Sequence, residues 1–325
     1  LRKLAIFALF ITLIISGCSA QGTTTKGEKV YKIGILLSDT GLGDGSFNDS
    51  AFRGLEKARD ELGVLFDYKE APDGDFEGAL QELVKQDNDL IIGLGFSVQE
   101  ALEKVAQEHT DQTFMLIDGA SELENIVSIT FKEHEGSFLV GMVAAMVSDS
   151  KKLGFIAGAE GVSVIERFHV GFEQGAKYVK PDISITRDNA NNFGDADLGA
   201  KIAQEQIAEG IDFIYAAAGF TGVGALQTSQ ASGTFAAGVD SDQYFVAEKA
   251  VVTSMLKNID VAVFDRIKEV VETGKMGQSM YELGIKENGV GLAPIRVKTL
   301  TPEQQKQIED ATNKIISGEI TVQTP

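Results

Sequence analysis

The feature that most constrains this chain is its rhythm. Short apolar runs rich in β-branched residues, most closing on Gly, Asp or Ser, alternate with amphipathic stretches of roughly ten to twenty residues. The runs are Lys32–Ser38, Leu65–Glu70, Leu90–Gly95, Thr113–Asp118, Lys152–Gly158, Ile183–Asn189, Phe213–Gly219 and Thr234–Asp240, with weaker ones at Ile126–Phe131 and Val251–Met255. A strand wet on one face alternates apolar and polar residues; near-continuous apolarity instead predicts strands covered on both faces, as in a parallel sheet between helices. The chain therefore reads as α/β.

Two helix starts carry chemical signals. Ser97 with Glu100 three residues on, and Thr301 with Pro302 and Gln304, both have the pattern of a capping box. At 325 residues the chain exceeds what one core usually serves, which predicts two domains. The polar stretch Ser148-Asp149-Ser150-Lys151-Lys152, after the apolar helix Phe138–Val147, is the expected domain crossing.

The first residues, Leu1-Arg2-Lys3, are basic, and an apolar run from Leu4 to Ile15 precedes Ser16-Gly17-Cys18. That is the pattern of a secretion signal, and its apolar part is too short to span a hydrocarbon core of about 30 Å. The chain has a single cysteine, so an exported form has no internal disulfide. Ile15-Ser16-Gly17-Cys18 resembles the bacterial lipobox, which makes Cys18 the expected lipidation residue and Ser19 to Lys29 a flexible tether. A net charge of −19 without a basic cluster argues against nucleic acid as a partner.

Open parallel sheets bind ligands beyond the carboxyl ends of their strands. The loop after the first run, Ser38 to Asp49, has glycines at 41, 43 and 45 followed by Phe47, amides and carboxylates. Its spacing is not G-x-G-x-x-G, and no phosphate-cradling G-x-x-x-x-G-K-[ST] occurs, so nucleotide phosphate is not indicated. By pattern alone Phe47 serves equally as a hydrophobic staple or as a stacking surface, whereas Asp118 and Asp240, each closing an apolar run, read more readily as turn or cap carboxylates than as ligand acceptors. The histidines His109, His134 and His169 lack ligand spacing, and no G-x-S-x-G elbow is present. No enzymatic constellation, metal site or cofactor is expected.

The segment Asp44-Gly45-Ser46-Phe47-Asn48-Asp49-Ser50-Ala51-Phe52-Arg53-Gly54-Leu55 resembles the signature of the basic membrane protein family, purine nucleoside-binding lipoproteins of bacterial ABC importers. Further similar segments are Val164 to Phe172, Ala217 to Gly224, Thr253 to Val263 and Gly289 to Leu292. The resemblance implies a two-lobed periplasmic-binding-protein type I-like fold with three hinge crossings. It implies a base held between Phe47 and Phe220, with Phe168 the next aromatic to consider. It implies Asn48 and Asp118 on the purine edge, Asp240 with Lys257 on the ribose hydroxyls, and Asp39 and Gly222 as loop contacts. Two departures from the family pattern stand out: Asp49 where Gln is frequent, which bears on base preference, and Phe220 where a small or polar residue is frequent.

The expected organisation is a signal over 1–17, a lipidated tether over 18–28, one lobe from 29–148 with 254–276, and the other from 149–253 with 277–325. The expected protein is a monomer, anchored by lipid on the extracytoplasmic face of the membrane, that captures a purine nucleoside (guanosine, inosine or adenosine) for ABC permease subunits. The same fold serving another solute, such as a sugar or an autoinducer, or acting as a receptor, and a nucleoside-cleaving enzyme are the alternatives.

Overall fold

The structure, a computed structural model, describes residues 29–325; Cys18, the signal and most of the tether lie outside the described residues. From Tyr31 the chain runs through β1 (Lys32–Leu36), α1 (Phe47–Leu62), β2 (Leu65–Lys69), α2 (Phe76–Lys85), β3 (Leu90–Leu94), α3 (Gln99–Glu108), β4 (Phe114–Ile117) and β5 (Ile126–Phe131). It continues through α4 (Glu133–Val147), β6 (Lys152–Ala157), α5 (Ser163–Val179), β7 (Ser184–Asn189), α6 (Ala196–Ala208), β8 (Phe213–Ala217), α7 (Gly219–Ser232), β9 (Phe235–Asp240) and β10 (Val251–Lys257). It ends with α8 (Ile259–Thr273), β11 (Met280–Leu283), β12 (Val290–Leu292) and α9 (Pro302–Ser317).

Two six-stranded sheets form, in the orders β11-β5-β4-β3-β1-β2 and β12-β10-β9-β8-β6-β7. They share one topology. In each, the chain reverses direction of growth at its first strand, which opens a crevice at the carboxyl ends beside that strand. All pairings are parallel except β12, which runs antiparallel to β10. The central strands β3, β4 and β8 are buried along their whole length, as their unbroken apolarity predicts.

The chain passes between the sheets three times: after β5, after β10 and after β11. These crossings differ from the expected boundaries. The polar turn Ser148–Lys152 is no crossing, because Asp212 of the second half holds it: Ser148 Oγ, Asp149 N and Ser150 N all donate to that carboxylate, at 2.6, 2.9 and 2.8 Å. The first crossing comes earlier, at Lys132, and α4 already packs along α5. β10 stays whole in the second sheet to Lys257, and β11 returns to the first sheet although 277–325 was expected in the second lobe.

Glycines let α4 and α5 meet backbone to backbone. A Cβ at Gly141 would stand 2.1 Å from Phe172 O, one at Gly171 2.2 Å from His134 O, and one at Gly175 1.8 Å from Phe138 O. Neither helix backbone can yield without disturbing its own hydrogen bonds. Gly175→Ala is therefore expected to destabilise the protein by about 1–3 kcal/mol, read as a lowered urea midpoint at unchanged slope.

The capping box at Thr301 forms as predicted, with Gln304 N donating to Thr301 Oγ1 and Thr301 N to Gln304 Oε1. Ser97 does not cap. Gly95, at φ 96°, ends β3 abruptly, and residues 96–98 tighten into a 3-10 turn that places Ser97 inside the helical segment, where its hydroxyl donates to Asp39 Oδ1 at 3.3 Å. Among the described residues, no helix is long and apolar enough to cross a membrane.

Candidate functional site

The carboxyl ends of both sheets face one cavity of about 600 Å³ of empty space, counted out to its mouth. The first half lines it with Asp39, Thr40, Asp44, Phe47, Phe96 and Asp118, the second with Val164, Ile165, Phe168, Phe193 and Asp240, and Lys257 closes it where β10 ends. The halves touch across it. Ser46 Oγ donates to Asp240 Oδ2 at 2.8 Å, Arg53 Nη2 to Ser241 Oγ at 3.0 Å, and the Phe96 and Phe193 rings stand 6.0 Å apart at the mouth.

The loop that carries Phe47 is wired by its own side chains. Asp44, buried, accepts from the backbone N–H groups of Ser46, Asn48 and Asp49 at 2.9, 2.8 and 3.2 Å, which are otherwise unpaired donors at the start of α1. Burial raises its carboxyl above the usual range, while those backbone bonds pull it back. Asp49 is outside the lining and accepts from Gly43 N and Gly45 N at 2.8 and 2.9 Å, so its carboxylate braces the loop. Phe47, the first residue of α1, is thereby held against the cavity.

Asp118 and Asp240 occupy equivalent places, each directly at the carboxyl end of the fourth strand of its half, and both have φ of 62°. Left-handed backbone is uncommon outside glycine, and Asp tolerates it better than most residues. Asp118 Oδ2 accepts from Lys257 Nζ, whereas Asp118 Oδ1 is buried and has no hydrogen-bond partner. Burial raises the Asp118 carboxyl and the nearby Lys257 ammonium pulls it down. The Asp240 carboxyl is raised to about 6, first by burial, against the pull of Lys257 and the Ser46 hydroxyl.

Lys257 is 1% exposed. Burial alone would favour its neutral form, but Asp118, Glu133 and Asp240 outweigh it and raise its pKa. Its ammonium also stands 5.4 Å from the Phe47 ring centre and 5.6 Å from that of Phe168, within cation–π range of a ring from each half. Behind it Glu133, wholly buried, lies 3.0 Å from Lys257 Nζ through Oε1 and 2.8 Å from Arg167 Nε through Oε2. These are ion pairs by distance whose angles fall short of hydrogen-bond geometry.

Of the sequence-predicted residues, Asp39, Phe47, Asp118, Asp240 and Lys257 line the cavity, as does Phe168. Three do not. Asn48 is fully buried one shell behind, its amide bonded to Ser38, Thr40 and Asp44. Phe220, 38% exposed, lies on α7 outside the lining. Gly222 is inside α7, where its missing Cβ lets the helix sit against Ala216 of β8. Lys257 donates to Asp118, the carboxylate assigned to the base edge, as well as lining the cavity beside Asp240. Sequence reasoning missed Phe193, Val164 and Ile165 as lining residues and Glu133 as a partner of Lys257. Val164 and Ile165 stood in a quoted motif, but nothing local marks Phe193, which reaches the cavity from the β7–α6 loop.

The arrangement can hold a flat, largely neutral molecule with hydrogen-bond donors: phenyl rings stand in both halves, and the unspent polar atoms are acceptors. The chain matches the family model Bmp, described as ABC transporter substrate-binding protein PnrA-like, over residues 31–324. It is 30% identical to basic membrane protein A of Borreliella burgdorferi, covering 99% of this chain and 96% of that one. It is 33% identical to an uncharacterized lipoprotein of Pyrococcus abyssi, covering 99% and 91%. An ABC transporter system solute-binding protein from Aeropyrum pernix K1 superposes with a TM-score of 0.83 at 31% identity, covering 91% of this chain and 94% of that one. Two like-wound α/β halves around a shared cavity, together with these matches, show that the chain belongs to the family of PnrA-like ABC transporter substrate-binding proteins.

Proposed function

We propose that this protein captures a purine nucleoside outside the cytoplasm, held at the membrane by lipid on Cys18, and delivers it to ABC permease subunits. The observation that carries the reading is the cavity itself, with a phenyl ring from each half and a buried, unpartnered acceptor at Asp118 Oδ1. A purine is flat enough to stack and carries ring N–H or amino donors. Stacking on an aromatic side chain is worth about 1–3 kcal/mol per base and is tolerant of base identity, so rings supply affinity and carboxylates supply selection.

The reading takes Phe47 and Phe168 as the two rings, since Phe168 lines the cavity and Phe220 does not. Asp118 faces the base and Asp240 the ribose hydroxyls, with Asp39 at the rim. Because the lining comes from both halves, the ligand favours the closed arrangement by its differential contacts, and the three crossings act as the hinge. The closed form is then what the permease recognises.

Mass spectrometry of the solute that co-purifies with the protein, followed by calorimetric titration with inosine, guanosine, adenosine, free bases and sugars, tests this. A nucleoside in the first and micromolar or tighter binding in the second is expected. Sugar binding without nucleoside binding would overturn it, and release of free base from inosine would point to an enzyme.

The pH dependence has a definite sign. A ligand hydroxyl donates to ionised Asp240, whose carboxyl is at about 6 in the free protein. Affinity is therefore full above pH 7 and falls about tenfold between pH 8 and pH 5. Ligand-free stability responds the opposite way: between the ordinary value of 3.8 and about 6 the folded form holds a proton that the unfolded chain has lost, so this group's contribution weakens as pH rises through that window. Affinity unchanged from pH 8 to pH 5 would remove Asp240 from the ligand.

A further inference from the structure

We infer that Glu133 and Arg167 are positioning residues that fix the Asp118–Lys257 pair in the cavity and tie it to the crossings between the two halves. The inference rests on the proposed function only in taking Asp118 as a ligand contact.

The geometry points this way in three steps. The chain of charges runs from Asp118 in the first half, through Lys257 and Glu133, to Arg167 on α5 in the second half. Two of its members sit at crossings: Glu133 opens α4 directly after Lys132, and Lys257 directly precedes Asn258. The crossings also bind one another. Lys132 N donates to Leu283 O at 3.0 Å, Ile285 N to Glu135 Oε2 at 2.9 Å and Asn258 N to Gly289 O at 2.9 Å. A rotation of the halves about this knot must move Arg167 and Glu133 relative to Asp118.

Burial makes the chain of charges more than a surface ion pair. Glu133 and Lys257 are 0% and 1% exposed and Asp118 7%, so their fields are little screened by water. The four charges sum to zero, two acidic and two basic. Lys257 also feels Asp240, and Asp240 in turn feels Asp44. Removing Glu133 or Arg167 therefore leaves an imbalance that Asp118 must absorb. Glu133 holds the Asp118 carboxyl up and Arg167 holds it down, and so their removal should act in opposite directions. Loss of packing alone gives no such opposition.

The test uses Glu133→Gln, Arg167→Met, the double variant and Arg167→Lys. The midpoint of the Asp118 carboxyl is read by carbon NMR on the ligand-free protein, with inosine affinity read by calorimetry. Glu133→Gln should lower the Asp118 midpoint and Arg167→Met should raise it. The double variant, neutral again, should return it toward the parent value and fold if a single variant does not. Arg167→Lys should resemble the parent. Each single variant should bind inosine on the order of tenfold more weakly. Midpoints that stay put, or move the same way in both single variants, overturn the inference. A parent protein that does not bind inosine while its midpoints move oppositely overturns the nucleoside reading and leaves this one standing.

Discussion

Replacing Lys257 with methionine is expected to destabilise the protein by about 3–5 kcal/mol at pH 8 and to abolish solute binding. Methionine keeps much of the aliphatic stem but removes the one charge that stands between Asp118 and Glu133. Asp118 then loses the ammonium that offset its desolvation, while Glu133 keeps Arg167 but loses the second of its two cations, and this costs more than the pair itself contributes. The loss should shrink as pH falls, since protonating Asp118 removes part of the repulsion. Denaturant unfolding of parent and variant at pH 8 and pH 5 checks both statements. A variant equally stable at both values, or as stable as the parent, would mean that the network is not electrostatically tight.

Asp240→Ala should weaken nucleoside binding on the order of a hundredfold or more while leaving free purine bases within about threefold. Charge-assisted hydrogen bonds contribute about 1.5–3 kcal/mol each, and vicinal ribose hydroxyls offer two donors to one carboxylate. A base without its sugar offers none there. Ser46 loses its partner at 2.8 Å in the variant, yet its hydroxyl also lies 3.4 Å from Val239 O, so the loop retains an anchor. Calorimetry with inosine, the matching 2′-deoxynucleoside and hypoxanthine discriminates. Equal losses for nucleoside and base would contradict the ribose assignment, and a deoxynucleoside that loses as much as the parent nucleoside would contradict the two-donor account.

The strands were legible where they are buried. β3 and β8 carry unbroken apolar runs because both their faces are covered. β11 and β12 were not, and the reason is their length, since the half-exposed edge strands β2 and β7 were read. β11 is a four-residue edge strand with exposed positions at alternate residues, and β12 has three residues around a glycine. Neither is long enough to show a period. Their absence from the reading also displaced the domain boundaries, since β11 is what returns the chain to the first sheet. The polar stretch at Ser148 misled for a related reason: polarity marks where chain meets water, and a turn held by Asp212 meets water as well as a crossing does.

The candidate site was legible in part. Phe47, Asp118, Asp240 and Lys257 sit at or just beyond strand ends, or in the loop after one, and the topology of a parallel sheet brings such positions together. Asn48 and Phe220 lie in equally suggestive segments but point elsewhere. Asn48 is taken up by three neighbours within its own loop, and Phe220 begins a helix whose packing turns it outward.

Periodicity, caps and turn residues act between neighbours along the chain, and so the sequence alone determined the α/β layers, the parallel sheets and the loops from which a site is built. Pairings such as that of Asp118 with Lys257, 139 residues apart, only the tertiary structure decided. Burial and charge act through space, and the charge state of a carboxylate depends on which ammonium and which water the fold leaves beside it. The same holds for which of Phe168 and Phe220 lines the cavity, because two phenylalanines of equal chemistry differ only in the direction their helices give them.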